Sequence, residues 1–140
     1  MISETQVDYT AQGSSVNLSS NGADGLAIGL ALADVAGDFT TTLRDSYGNS
    51  ATSTITSTQS IRSYTELEFL FANFQGGNDI DLTNISSVSL RYTPVRDGAD
   101  LLVDHISTAQ INPASVPEPT TFGLILIGVA AFAMRRRRNG

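Results

Sequence analysis

The sequence predicts an all-β fold, an antiparallel β-sandwich or jelly-roll-like body followed by a single short C-terminal transmembrane helix. Three observations predict it. Through roughly the first 110 positions, apolar residues recur at a period of two in short runs. Gly, Asn, Asp and Ser collect between those runs. Beyond residue 112 the composition changes to a proline-held stretch, thirteen uncharged residues and four arginines.

The strands follow in order. Leu26, Ile28, Leu30 and Leu32 alternate with Ala and Gly, so one face of that strand is expected to be buried. The same period returns in Phe39, Thr41 and Leu43, in Leu67, Phe69 and Phe71, and in Val88, Leu90 and Tyr92. Residues 50–58 are Thr-rich with Ile55 as their one large apolar side chain, which suits an edge or outer strand. Eight strands are expected, at 6–10, 14–18, 25–33, 38–44, 50–57, 65–72, 86–93 and 100–107. The separators Asn21-Gly22, Asp24-Gly25, Gly48-Asn49, Gly76-Gly77 and Asp97-Gly98 supply the positive φ that tight turns need. The expected core is Leu26, Ile28, Leu30, Leu32, Phe39, Leu43, Leu67, Phe69, Phe71, Val88, Leu90 and Val103.

The chain divides into four parts. Residues 1–112 form the body. Residues 113–121 form a linker holding Pro117, Glu118 and Pro119, whose two prolines keep the backbone extended. Then come Phe122, Gly123, Leu124, Ile125, Leu126, Ile127, Gly128, Val129, Ala130, Ala131, Phe132, Ala133 and Met134. As a helix the uncharged stretch from Thr120 to Met134 spans about 22 Å at 1.5 Å per residue, short of a hydrocarbon core of roughly 30 Å. A buried core helix would show one polar side, and this segment has none. Arg135, Arg136, Arg137 and Arg138 follow directly, lengthen the effective span by snorkelling, and hold residues 135–140 on the cytoplasmic side.

Charge is divided in the same way. Residues 1–116 hold 13 acids and 4 arginines, a net −9, whereas residues 117–140 hold Glu118 against four arginines, a net +3. An acidic body argues against nucleic acid as a partner. Cysteine is absent and His105 is the one histidine, which excludes disulfides, thiolate chemistry and a multi-histidine metal site. The opening MISETQVDYT has neither the basic nor the apolar region of a signal peptide.

Pro117-Glu118-Pro119, the apolar segment and the terminal arginines, in that order, resemble the PEP-CTERM sorting signal. The resemblance covers residues 116–140. It implies export in bacteria that build an extracellular matrix, and an exosortase as partner: a membrane enzyme that cleaves near the Pro-Glu-Pro. The inner membrane would be a stage in transit, and the cell surface or extracellular matrix the destination. The same region also carries the label ice-binding protein C-terminal domain, which is no evidence of ice binding. Such proteins need a signal peptide, so the expectation is that the body is truncated at its N-terminus, the alternative being a degraded gene. More loosely, residues 81–88 and 97–104 resemble parts of the β-sandwiches that precede this signal.

No catalytic residue, metal site or cofactor is assigned. Glu66 and Glu68 stand two apart on one strand face, close enough for a glycosidase pair, but a solvent-facing stripe explains them. Asp97, Asp100 and Asp104, with Asp79 and Asp81, could offer oxygens to calcium, though the spacing fits no EF-hand loop and turn capping explains them too. Around His105 there is no nucleophile motif. Among the aromatic residues, Tyr47 and Tyr64 are candidates for exposed glycan platforms, and the Ser/Thr run at 50–60 could accept sugars. The expectation is a non-enzymatic exported cell-surface or matrix protein, with an extracellular polysaccharide as a further partner. The alternative is a carbohydrate- or calcium-binding β-sandwich module with the same tail.

Overall fold

The computed structural model describes residues 4–76 and 80–111. Seven antiparallel strands make two sheets: β1 (Thr5–Thr10), β2 (Gly25–Ala33), β3 (Gly37–Asp45), β4 (Ser50–Ser57), β5 (Thr65–Leu70), β6 (Ile85–Pro94) and β7 (Leu101–Ala109). Their order is β1-β6-β3-β4 in the larger sheet and β5-β2-β7 in the smaller. The helical elements among the described residues are two single 3₁₀ turns, Ser20–Gly22 and Phe71–Asn73. The linker, the apolar segment and the terminal arginines lie outside the described residues.

The core lies between the sheets, and alternation builds it. Leu26, Ile28 and Leu30 of β2 and Leu67 and Phe69 of β5 meet Phe39 and Leu43 of β3 and Val88, Leu90 and Tyr92 of β6. Phe39 and Tyr92 face each other across β3 and β6, their rings stacked at 4.8 Å. The Tyr92 hydroxyl donates to the Val35 carbonyl at 2.5 Å, which satisfies the one polar atom that this ring takes inside.

Four expectations are corrected. The 14–18 segment is not a strand: it makes one isolated bridge, Val16 to Ile85. Leu32 is half-buried, and Ala33 takes the inward position. The β2–β7 register shifts between Gly29 and Leu30 and again between Leu30 and Leu32, so the phase of β2 reverses there. Phe71 leaves β5 for the 3₁₀ turn and packs on the core's margin with Phe74. Val103 is likewise half-buried, because β7 is an edge strand.

The smaller sheet is one strand narrower than the larger. Val7 and Tyr9 of β1 pair with Leu90 and Val88 and so share the core-facing side. Tyr9 is nonetheless 43% exposed. A cleft of about 360 Å³ opens there, lined chiefly by Tyr9, Val16, Leu18, Leu26, Ile85 and Ile106.

Thr41 sits in the centre of β3, fully buried, and its hydroxyl finds no hydrogen-bond partner among the described residues. Valine has nearly the same shape without the orphaned group. Thr41→Val is therefore expected to stabilise the fold by about 1 kcal/mol, measured as a raised urea midpoint. An unchanged or lowered midpoint would show that the hydroxyl is already satisfied.

Candidate functional site

The outer face of the smaller sheet carries a polar cluster, and strand register assembles it. Gly29 of β2 stands opposite Glu66 of β5 on one side and His105 of β7 on the other. Tyr64 precedes β5 by one residue and folds back over it. Its hydroxyl donates to Glu66 Oε1 at 3.0 Å. The same carboxylate oxygen lies 3.7 Å from His105 Nε2, and Asp104 Oδ2 lies 3.1 Å from His105 Nδ1.

Glycine at position 29 is what lets the cluster form. A Cβ there would stand 2.7 Å from the His105 ring and 2.9 Å from the Tyr64 hydroxyl. The histidine ring edge and the hydroxyl thus rest on bare backbone, as glycine within a strand allows. Burial of its hydroxyl, together with the Glu66 hydrogen bond and the charges of Glu66 and Asp104, raises the Tyr64 pKa above the ordinary tyrosine value.

The other candidates are dispersed. Glu68 shares the outward side with Glu66 but borders a separate polar crevice of about 490 Å³ beside Thr52, Thr54, Asn73 and Gln75. The Asp100 amide donates to Asp34 Oδ1 at 2.8 Å. Asp81 caps its own turn through the amide and hydroxyl of Thr83. Among the described residues no three of His, Asp and Glu converge to hold a metal ion; Asp79 lies outside them. Tyr47 stands 74% exposed on the β3–β4 turn, while Tyr92 is core. The Thr-rich β4 is the edge of the larger sheet, and its hydroxyls pair across to β3 through Thr54 to Thr40 and Thr56 to Asp38.

The body's exit is fastened. After β7, the Gln110 side chain donates to the Asn21 carbonyl and the Ile111 amide to Asp24 Oδ1, each at 2.6 Å. The Ile111 side chain occupies the space that a Cβ on Gly25 would need. The chain therefore leaves the sandwich from a fixed point on the outer face of the central strand of the smaller sheet. Four residues later a known pattern begins.

Residues 115–138 match the PEP-CTERM protein-sorting motif. The motif is an exosortase-dependent export signal, and it implies transit of the membrane toward the cell surface. No curated protein and no solved structure matches the chain. The PEP-CTERM match takes in Pro117, Glu118 and Pro119, the segment from Phe122 to Met134, and the four arginines.

Two features of the body were not visible in sequence. The Tyr64–Glu66–His105 cluster needed the β5-β2-β7 order to become visible, although a lone glycine inside an apolar strand was a usable hint. The reach of Asp45 was the other. Its carboxylate gathers four donors, one of them from residue 81.

Proposed function

We propose that the chain is a non-enzymatic exported protein of the cell surface or extracellular matrix, delivered by its PEP-CTERM tail. One observation carries the reading: Pro-Glu-Pro, an apolar segment and four arginines stand in order within the matched residues 115–138. In this reading residues 122–134 form a membrane-inserted helix with Arg135 to Arg138 in the cytoplasm. Pro117 and Pro119 keep the linker extended, the form in which proteases bind substrates. The exosortase cleaves near Glu118 and separates body from helix. The fastened exit at Ile111 supports this geometry, because the few residues between it and Pro117 then form a short spacer between a rigid body and the cleavage point.

The test is expression with and without an exosortase, followed by mass measurement of the C-terminus. The expected mature protein ends near Pro117-Glu118-Pro119 when the enzyme is present and keeps its arginines when it is absent. Retention of Arg135 to Arg138 in the presence of an active enzyme would overturn the reading.

A further inference from the structure

We propose that the outer face of the β5-β2-β7 sheet binds a polysaccharide whose sugars carry no acid groups, with Tyr64 and His105 as its platform and Glu66 and Asp104 as its polar rim. The Tyr64 and His105 rings lie within 20° of parallel, with centroids 6.3 Å apart. Tyr64 is 54% exposed and the His105 side chain 38%. A pyranose has a C–H face and an equator of hydroxyls. The C–H face suits the negative face of an aromatic ring, and the hydroxyls need acceptors at the ring's margin.

Those acceptors are in place. Glu66 stands at the tyrosine's margin and Asp104 at the histidine's. A carboxylate has about four acceptor positions. Glu66 keeps capacity after accepting from Tyr64, and Asp104 after its hydrogen bond with His105. The platform is also pre-organised. Glu66 holds the tyrosine hydroxyl, Asp104 holds the imidazole, and Gly29 lets both settle on the sheet. Binding therefore has little side-chain freedom left to remove.

Charge selects the ligand class. The rim is acidic, and residues 1–116 carry a net −9. Uronate or sulfated chains are repelled from such a surface, whereas neutral and amine-bearing hexoses are not. Sorting by the tail plays no part in this inference, and a test without exosortase separates the two.

The full chain, purified in a mild detergent, is titrated with a neutral β-1,4-glucose hexamer, a glucosamine hexamer and an oligo-uronate. His105 is the one histidine, so its imidazole resonances report on the site without assignment. Saturable shifts of those resonances with the neutral or the amine-bearing hexamer, and none with the uronate, are expected. Tyr64→Ala removes half of the platform and is expected to weaken binding about tenfold. Gly29→Ala adds a methyl against the His105 ring and the Tyr64 hydroxyl and is expected to weaken it similarly, with the thermal midpoint of each variant checked against the parent. Tyr9→Ala, on the other sheet, is expected to leave binding unchanged. Absence of shifts with both hexamers, equal binding of the uronate, or binding that survives Tyr64→Ala undiminished would each overturn the proposal.

Discussion

Phe39→Ala is expected to cost the body about 3–5 kcal/mol, against a total stability of about 5–15 kcal/mol for a domain of ordinary size. Phe39 has no exposed surface and lies on the central pairing of the larger sheet, with Ile55 on one side and Tyr92 on the other. Truncation removes the ring's burial and leaves a cavity between sheets that cannot close around it. It also ends the stacking on Tyr92 at 4.8 Å. Such a pair adds about 0.5–1.5 kcal/mol beyond its area. Tyr9→Ser is the matched control, since both side chains face the core side. Tyr9 sits on the overhanging β1 and is 43% exposed, so its truncation is expected to stay within about 1 kcal/mol. Urea unfolding of the full chain in detergent measures both. Equal losses at the two positions would mean that β1 is covered as fully as β3, and the four-against-three architecture would be wrong.

That contrast also separates what local sequence reveals from what it does not. Period-two alternation located β2 at its observed bounds and placed β3 and β6 within one residue at either end, and the Thr-rich composition of 50–57 located β4. It marked Leu26, Ile28, Phe39, Leu43, Phe69 and Leu90 as buried, and all of them are. Alternation says which side a residue faces. It does not say whether another strand lies opposite. Val16 and Leu18 alternate like a strand, yet the segment has one bridge to Ile85, because β1 already occupies that edge of β6. Leu32 continues the phase of Leu26, but the bulged pairing with β7 reverses it. A bulge belongs to two strands at once, and β2 alone does not encode it.

The candidate sites follow the same division. Everything needed to read the sorting tail is contiguous, and residues 115–138 matched accordingly. The outer-face cluster is assembled from Gly29 on the second strand, Tyr64 and Glu66 at the fifth, and Asp104 and His105 on the last. Glu66 and Glu68 were correctly placed on one side from their spacing. The histidine beside Glu66 depends on a register between strands that are not adjacent in sequence.

Asp45→Asn is expected to lower stability at neutral pH and to flatten its decline in acid. Asp45 ends β3 and is 2% exposed. Its Oδ1 accepts the amides of Tyr47 and Asn49, each at 2.9 Å, and its Oδ2 accepts the Asn49 side chain and the Asp81 amide. One carboxylate thus closes the β3–β4 turn and ties it to the loop before β6. Burial disfavours its charge, but the hydrogen bonds from Asn49, Asp81 and Tyr47 outweigh burial, and the pKa lies below the ordinary 3.8. A lowered folded pKa means stability that is fully present above the unfolded value and is lost as pH falls through the folded one. The window therefore opens near pH 4 and extends downward. Asparagine keeps one acceptor for Tyr47 and Asn49 but turns an amide toward the donors of Asn49 and Asp81, so the turn is weakened without any titration. Urea midpoints taken from about pH 6 down to about pH 2 compare the two chains. The parent should fall more steeply below about pH 4, and the gap between the chains should narrow there. Other carboxylates titrate in both chains alike and cancel in the comparison. Parallel curves with a constant gap would mean that the Asp45 carboxylate is no better stabilised in the fold than in water, and the four-donor turn would lose its role as the anchor of β3, β4 and the loop before β6.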